Sequence, residues 1–432
     1  MEPSPSMENG RRVGRLLVVL SLCLAGEPVL CGPANLSPLR VSQATDGQDG
    51  NAFSVRPEIS ADGHRIAFVS MASNLVPRSF GNGIAVYLSD SSTRALTRIS
   101  EGPEGAISTA ADPSISADGR RVAFAGNGPG GSRQIYVADV TAGTLALLSK
   151  DQQGNAGNGD SATPMISRDG KVVALITSAK NLVSGCAETA ASVVTVEVDS
   201  GEAICVSRGL DGAPADGPSS QPTVSSDGRV VAFSSAAANL VPGDVNGRSD
   251  VFVYDTQERT VSLVSRTKGA LANGDSIQPS ISDDGQRIAY LSSATNLVSG
   301  DTNGADDVFL WDRSTGLTVP VTWVRGRSAN GFSAQPRISG DGRFVAFLSP
   351  ARNLVVGQDN GRRKIYRWDS RRSSLMVVSV GFDGKQAAGD SFQPAISHDG
   401  TTIAFRSNAP NIIPSDKNFT DDVFVVAGLP SR

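Results

Sequence analysis

The phrase P-x-[IV]-S-x-D-G-x-x-[IV]-A-[FLY] occurs seven times in this chain, starting at Pro57, Pro113, Pro164, Pro222, Pro279, Pro336 and Pro394, at intervals of 51 to 58 residues. A period of that length means a fold built by repetition, because so short a unit cannot bury its apolar face alone and must stack on its neighbours. The uninterrupted repeat also argues for one domain, where 432 residues would otherwise suggest two or three.

The copy from Pro222 to Ser265 shows how a unit folds. Thr223 to Ser225 is extended, Ser226-Asp227-Gly228 makes a tight turn, and Val230 to Ser234 returns as an apolar strand. Aspartate tolerates the turn and glycine supplies the positive φ that closes it. A longer loop, Ala236 to Asp250, precedes a third strand at Val251 to Tyr254, a polar hairpin and a last strand at Val261 to Ser265. Four short antiparallel strands, a to d, make one blade of a β-propeller. The final copy stops after strand c at Val423 to Val426, while Leu39 to Ser42 reads L-R-V-S, like the strand d ending L-V-S at Leu263 to Ser265. The expected fold is therefore all-β: a seven-bladed propeller over residues 35–432 whose N-terminal strand completes the last blade and removes the open edges.

The segments P-S-I-S-D-D-G-Q-R-I-A-Y-L-S (Pro279 to Ser292) and D-D-V-F-L-W-D (Asp306 to Asp312) resemble the WD40-like propeller repeats of the TolB type, and the likeness extends over roughly residues 39–427. The resemblance implies the fold and leaves the role open, since such repeats serve many functions. The α/β domain that precedes the propeller of TolB has no counterpart here, so its lipoprotein-docking role is not expected.

Residues 1–34 stand outside the repeat. Arg11, Arg12 and Arg15 precede the apolar run Leu16 to Ala25, with small residues and a cleavage region near Ala34 following, which is the order of a secretory signal. Export to the periplasm or beyond is the expected localisation. No later run approaches the roughly 18 apolar residues of a spanning helix. Beyond the signal only Cys186 and Cys205 remain, and the sequence leaves a bridge and two separate thiols equally open. A formal charge of -4 gives no attraction to nucleic acid. The mature chain is expected to be a monomer.

Candidate chemistry is sparse. The only histidines, His64 and His398, fall in or beside a–b turns of different blades, so they are expected to be solvated turn residues and not members of a triad or a zinc site. Tyr87, Tyr136, Tyr254, Tyr290 and Tyr366 occupy strand positions that other copies fill with Phe, which places them in the core and not at a sialidase-like centre. Trp311 and Trp368 are expected in strand c and Trp323 in strand d.

Two patterns remain. Three b–c loops read D-x-N-x-x-x-D: Asp244, Asn246 and Asp250; Asp301, Asn303 and Asp307; Asp416, Asn418 and Asp422. Alternating oxygen side chains suit a hard cation such as calcium, and they equally suit a loop held by its own Asx turns. In the sixth copy the slots read Gln358, Asn360 and Lys364, which does not suit a metal. The residue before the repeat proline is Gln221, Gln278, Gln335 or Gln393 in four copies, at the entrance to the innermost strand, where the amides could ring the channel mouth and bind a peptide or polar ligand. The functional expectation is a secreted, non-catalytic propeller binding a protein, a peptide or an envelope component. The alternative is a metal-dependent polysaccharide lyase or hydrolase with its site at the propeller axis.

Overall fold

Each copy of the phrase forms the inner half of a four-stranded antiparallel sheet. In blade 4 the strands are Ser219–Val224, Val230–Ser235, Asp250–Asp255 and Thr260–Leu263, hydrogen-bonded in that order from the axis outward. The innermost strands of blades 1 to 7 are Ser54–Ile59, Ala111–Ile115, Ser161–Ile166, Ser219–Val224, Ser276–Ile281, Ala334–Ile338 and Ser391–Ile396. The computed structural model describes residues 37–431 except 78–82, 103–104, 129–130, 189, 268, 325, 358–359 and 415. The expected secretory segment lies outside the described residues. Those residues belong to one compact unit, and none of their helices is long and apolar enough to cross a membrane.

The repeated letters have structural work at every copy. The serine of S-x-D-G donates from Oγ to the aspartate Oδ1 two residues on, at 2.5–2.8 Å in all seven blades. The same Oγ accepts the N–H of the first residue of strand b, as Arg65 and Phe344 show. The turn glycine has positive φ in every copy, and its bare Cα also faces the preceding blade: a Cβ on Gly400 would lie 2.2 Å from the Phe344 ring. One residue thus closes the turn and sets the distance between blades.

Between blades the core is built from paired rings. Strands b and c carry facing aromatics in six blades, from Phe68 with Tyr87 to Phe405 with Phe424, at centroid separations of 5.5–6.1 Å. All five tyrosines are buried, as are Trp311 and Trp368. Trp323 departs from expectation, because strand d of blade 5 ends at Pro320 and Trp323 begins a separate two-residue ladder with Arg327–Ser328.

Blade 3 has Leu175 opposite Val194 where the others have rings, and there a Cys186–Cys205 disulfide ties the b–c loop to strand d. The bridge spans 19 residues. Closing a loop of that size restricts the unfolded chain by about 3 kcal/mol. Reduction, or Cys186→Ser with Cys205→Ser, is expected to lower stability by about 2–3 kcal/mol in urea melts.

The ring closes as the sequence indicates. Leu39 pairs with Val425 and Arg40 with Phe424, so Leu39–Arg40 is the outer strand of the sheet Ser391–Ile396, Ile403–Ser407 and Asp422–Val426.

Candidate functional site

The residue before each repeat proline has a left-handed backbone in all seven blades: Arg56, Asp112, Thr163, Gln221, Gln278, Gln335 and Gln393 have φ between 45° and 55°. A left-handed residue before proline is unfavourable, and the pairing of strands a and b shifts register there in every blade. Such a bulge re-aims the side chain. Here all seven reach the wall of one cavity of about 320 Å³ on the propeller axis.

The glutamines form a belt around its mouth. Oε1 of Gln221 accepts the N–H of Gln278 at 2.9 Å, Gln278 accepts that of Gln335 at 3.0 Å, Gln335 that of Gln393 at 2.7 Å, and Gln393 that of Arg56 at 2.9 Å. Each amide oxygen therefore stitches one blade to the next. The Nε2 atoms make no hydrogen bond to the described residues and remain as donors lining the cavity. The belt passes to charged groups in the first two blades, where Arg56 pairs with Asp112 and Asp112 with Arg133.

Below the belt, the residue after the proline faces the channel. Arg337 Nη2 of blade 6 donates to Glu58 Oε1 of blade 1 at 2.7 Å, with blade 7 between them. Burial pushes the Glu58 carboxyl above its ordinary range, and Arg337 and Arg168 pull it back only in part. A smaller cavity of about 70 Å³ shares Glu58, Met165 and Arg337 with the first and leads to the opposite face.

That face is closed by main chain. Successive a–b turns are joined by N–H to carbonyl bonds, Ala61 to Ala117, Ala117 to Arg168, Asp169 to Ser226, Ser226 to Asp283, Asp283 to Gly340, Asp341 to His398 and His398 to Ala61. The ring brings three blades together at the axis. Asp283 takes Arg168 Nε on Oδ1 at 3.3 Å and His398 Nδ1 on Oδ2 at 2.7 Å. Both histidines stand in or beside their a–b turns and are exposed, as expected; His398 in addition pairs across blades with Asp283, whereas the side chain of His64 meets Ser91 Oγ at 3.2 Å.

None of the nine Asp and Asn loop residues lines the axial cavity. They lie in the b–c loops, and the last aspartate of each, Asp250, Asp307 or Asp422, starts strand c. In each loop the asparagine Nδ2 donates to the last aspartate, Asn246 to Asp250 at 2.7 Å, Asn303 to Asp307 at 2.8 Å and Asn418 to Asp422 at 3.0 Å. A hydroxyl from strand d or just beyond it holds the other carboxylate oxygen: Ser265, Thr322 or Ser42 at 2.5–2.6 Å. Burial pushes Asp250 and Asp307 up to about 6, against those hydrogen bonds, and raises Asp244, Asp301, Asp416 and Asp422 as well. In the sixth copy Lys364 starts strand c fully buried and donates to Asn360 Oδ1.

No protein-family model matches this chain, and no curated protein sequence does. Solved structures do match. An oligogalacturonate lyase from Vibrio parahaemolyticus superposes with TM-score 0.57 at 13% identity, over 93% of this chain and 96% of its own. An oligogalacturonate lyase in complex with manganese gives 0.56 at 14%, over 91% and 96%. TolB from Acinetobacter baumannii gives 0.41 at 13%, over 82% and 78%. At these identities the likeness is one of fold. It nonetheless overturns the expectation of a non-catalytic protein, which rested on the scaffold and on missing triads, since a propeller matched almost end to end carries a lyase. At the axis of this chain Glu58 and Asp112 are each paired with arginine, and among the described residues no group of three or more His, Cys, Asp and Glu is placed to hold a metal.

Proposed function

We propose that this propeller cleaves a carboxylated, hydroxyl-rich polysaccharide at its axis, in a lyase reaction without a metal at that point. The observation that carries the reading is the Glu58–Arg337 pair spanning a polar channel. A uronate needs its carboxylate neutralised before the adjacent C–H becomes acidic. Arg337 and Arg56 line the cavity wall and, beyond the N–H groups given to Glu58 and Asp112, keep further guanidinium donors for that carboxylate, and the glutamine Nε2 groups supply donors for sugar hydroxyls. Glu58, made more basic by burial, takes the proton beside the carboxylate. The electron pair forms the new carbon–carbon double bond, the C–O bond to the leaving sugar breaks, and that oxygen takes a proton from water. The oligogalacturonate lyases of like fold support this choice of substrate class. So does the disulfide, which fits an exported protein that would meet such polymers outside the cytoplasm.

The test is a panel of polyuronates read by the absorbance of unsaturated ends, with thermal shift in parallel. Glu58→Gln is expected to lose about 10²–10⁴-fold in turnover while keeping the ligand-induced shift. Arg337→Ala is expected to weaken the shift itself. If the wild-type protein neither degrades nor is stabilised by any polyuronate, the reading fails. Binding without turnover would retain the ligand class and remove the reaction.

A further inference from the structure

The three D-x-N-x-x-x-D loops share the asparagine and hydroxyl bonds that hold the last aspartate, and they differ in the charge beside it. In blade 7, Arg40 enters from strand d and places Nη1 3.1 Å from Asp422 Oδ2 and 3.5 Å from Asp416 Oδ1. Its guanidinium bridges the first and last carboxylates of the loop. Arg40 stands two residues before Ser42, the residue whose Oγ holds Asp422. The corresponding positions are Leu263 in blade 4, two before Ser265, and Pro320 in blade 5, two before Thr322. Neither carries charge. Blade 6 reverses the sign, with Lys364 in place of the last aspartate. A cation therefore accompanies this pocket in blades 6 and 7.

Blades 4 and 5 keep both carboxylates. Asp244 and Asp250 are 6% and 0% exposed, Asp301 and Asp307 8% and 0%. Among the described residues none of the four has a Lys, Arg or His partner within 4.0 Å, and Asp301 Oδ1 is buried without a hydrogen-bond partner. In blade 7 a single guanidinium nitrogen reaches the first and the last carboxylate of the loop at once, so the two flank one cation-sized space. Two buried like charges side by side are unfavourable unless neutralised.

We infer that blades 4 and 5 each bind one divalent cation of the calcium class, between Asp244 and Asp250 and between Asp301 and Asp307, where the Arg40 guanidinium sits in blade 7. Carboxylates at both ends of a sharp loop, with main-chain carbonyls and water completing the shell, are the donors such an ion takes. The cation links the b–c loop to strand c, the role that Arg40 has at the seam.

Equilibrium dialysis and thermal melts of the full chain at neutral pH, in calcium and in chelator, test this. Two calcium ions per chain are expected, with a saturable rise in melting temperature. Asp244→Asn and Asp301→Asn should each remove one ion and, in chelator, should stabilise the protein, because each deletes an uncompensated charge. Asp416→Asn should leave the stoichiometry at two and destabilise, because it takes a partner from Arg40. Leu263→Arg should lower the stoichiometry to one by supplying blade 4 with an internal cation. No calcium bound to the folded wild-type protein would overturn the proposal in favour of a shared proton in each pocket, as would a stoichiometry unchanged by Asp301→Asn.

Discussion

Arg40→Ala is expected to destabilise the protein by about 3–5 kcal/mol, the range for removing one partner of a buried ion pair. Its side chain is 2% exposed and meets Asp49 at 2.8 Å as well as Asp422 and Asp416. Alanine would leave Asp416 and Asp422, themselves 2% and 0% exposed, without their cation. The loss should depend on pH in a defined sense. Burial already raises both carboxyls, with Arg40 opposing the rise, so without the arginine both folded-state values go up further. A carboxyl raised on folding binds more protons when folded, so its unfavourable contribution grows as pH rises from the unfolded value near 4 through the folded one. Urea melts should therefore show a small penalty near pH 4.5 and the full one at pH 8. Asp416→Asn in the Arg40→Ala background should restore part of the loss. A penalty under about 1 kcal/mol at pH 8, or one flat with pH, would mean that the seam does not depend on this pair.

Gly400→Ala should cost about 2–5 kcal/mol. Two terms add: roughly 1–2 kcal/mol for an L-residue held at the φ of +69° found here, and about 1–3 kcal/mol for forcing a methyl into the Phe344 ring. Phe344 cannot swing away freely, since it is 1% exposed and its ring lies under the guanidinium carbons of Arg343 and Arg367 at 4.5 and 4.3 Å. Gly316→Ala is the control, with φ of +67° and nothing within 4 Å of the added carbon. It should lose the backbone term alone. Equal losses at the two positions would show that Gly400 is there for the turn and not for the contact between blades.

The letters that repeat and the letters that vary proved to have different tasks. Ser, Asp and Gly of the phrase build the a–b turn, and the alternating apolar residues build the blade, so a self-comparison of the chain displays both. The x positions carry the site. Glu58 and Arg337 fill the first x, Arg168, Asp283 and His398 the second, and these are the residues that differ from copy to copy. Sequence reasoning passed over Glu58 and Arg337 for that reason, although their place after the proline, on a strand lining the axis, was a usable signal. The glutamines were legible because four copies share them. Their hydrogen-bonded belt was not, because each bond joins two blades.

What the sequence determined by itself was the local and the periodic: the blade, its number of copies, the turn chemistry and the strand that closes the ring. The blade and its turns depend on residues a few positions apart, whose conformations the chain itself restricts, and the closing strand was legible as the strand d that the last copy lacks. What only the tertiary structure decided was which variable residues meet. Glu58 and Arg337 are 279 positions apart, and no spacing relates them. They pair because ring closure turns the inner strands of seven blades toward one axis, where low exposure to water makes a charge seek its opposite across the channel. Arg40 reaches Asp422 for the same reason: a buried carboxylate pair needs a cation, and the fold brings that one from the far end of the chain.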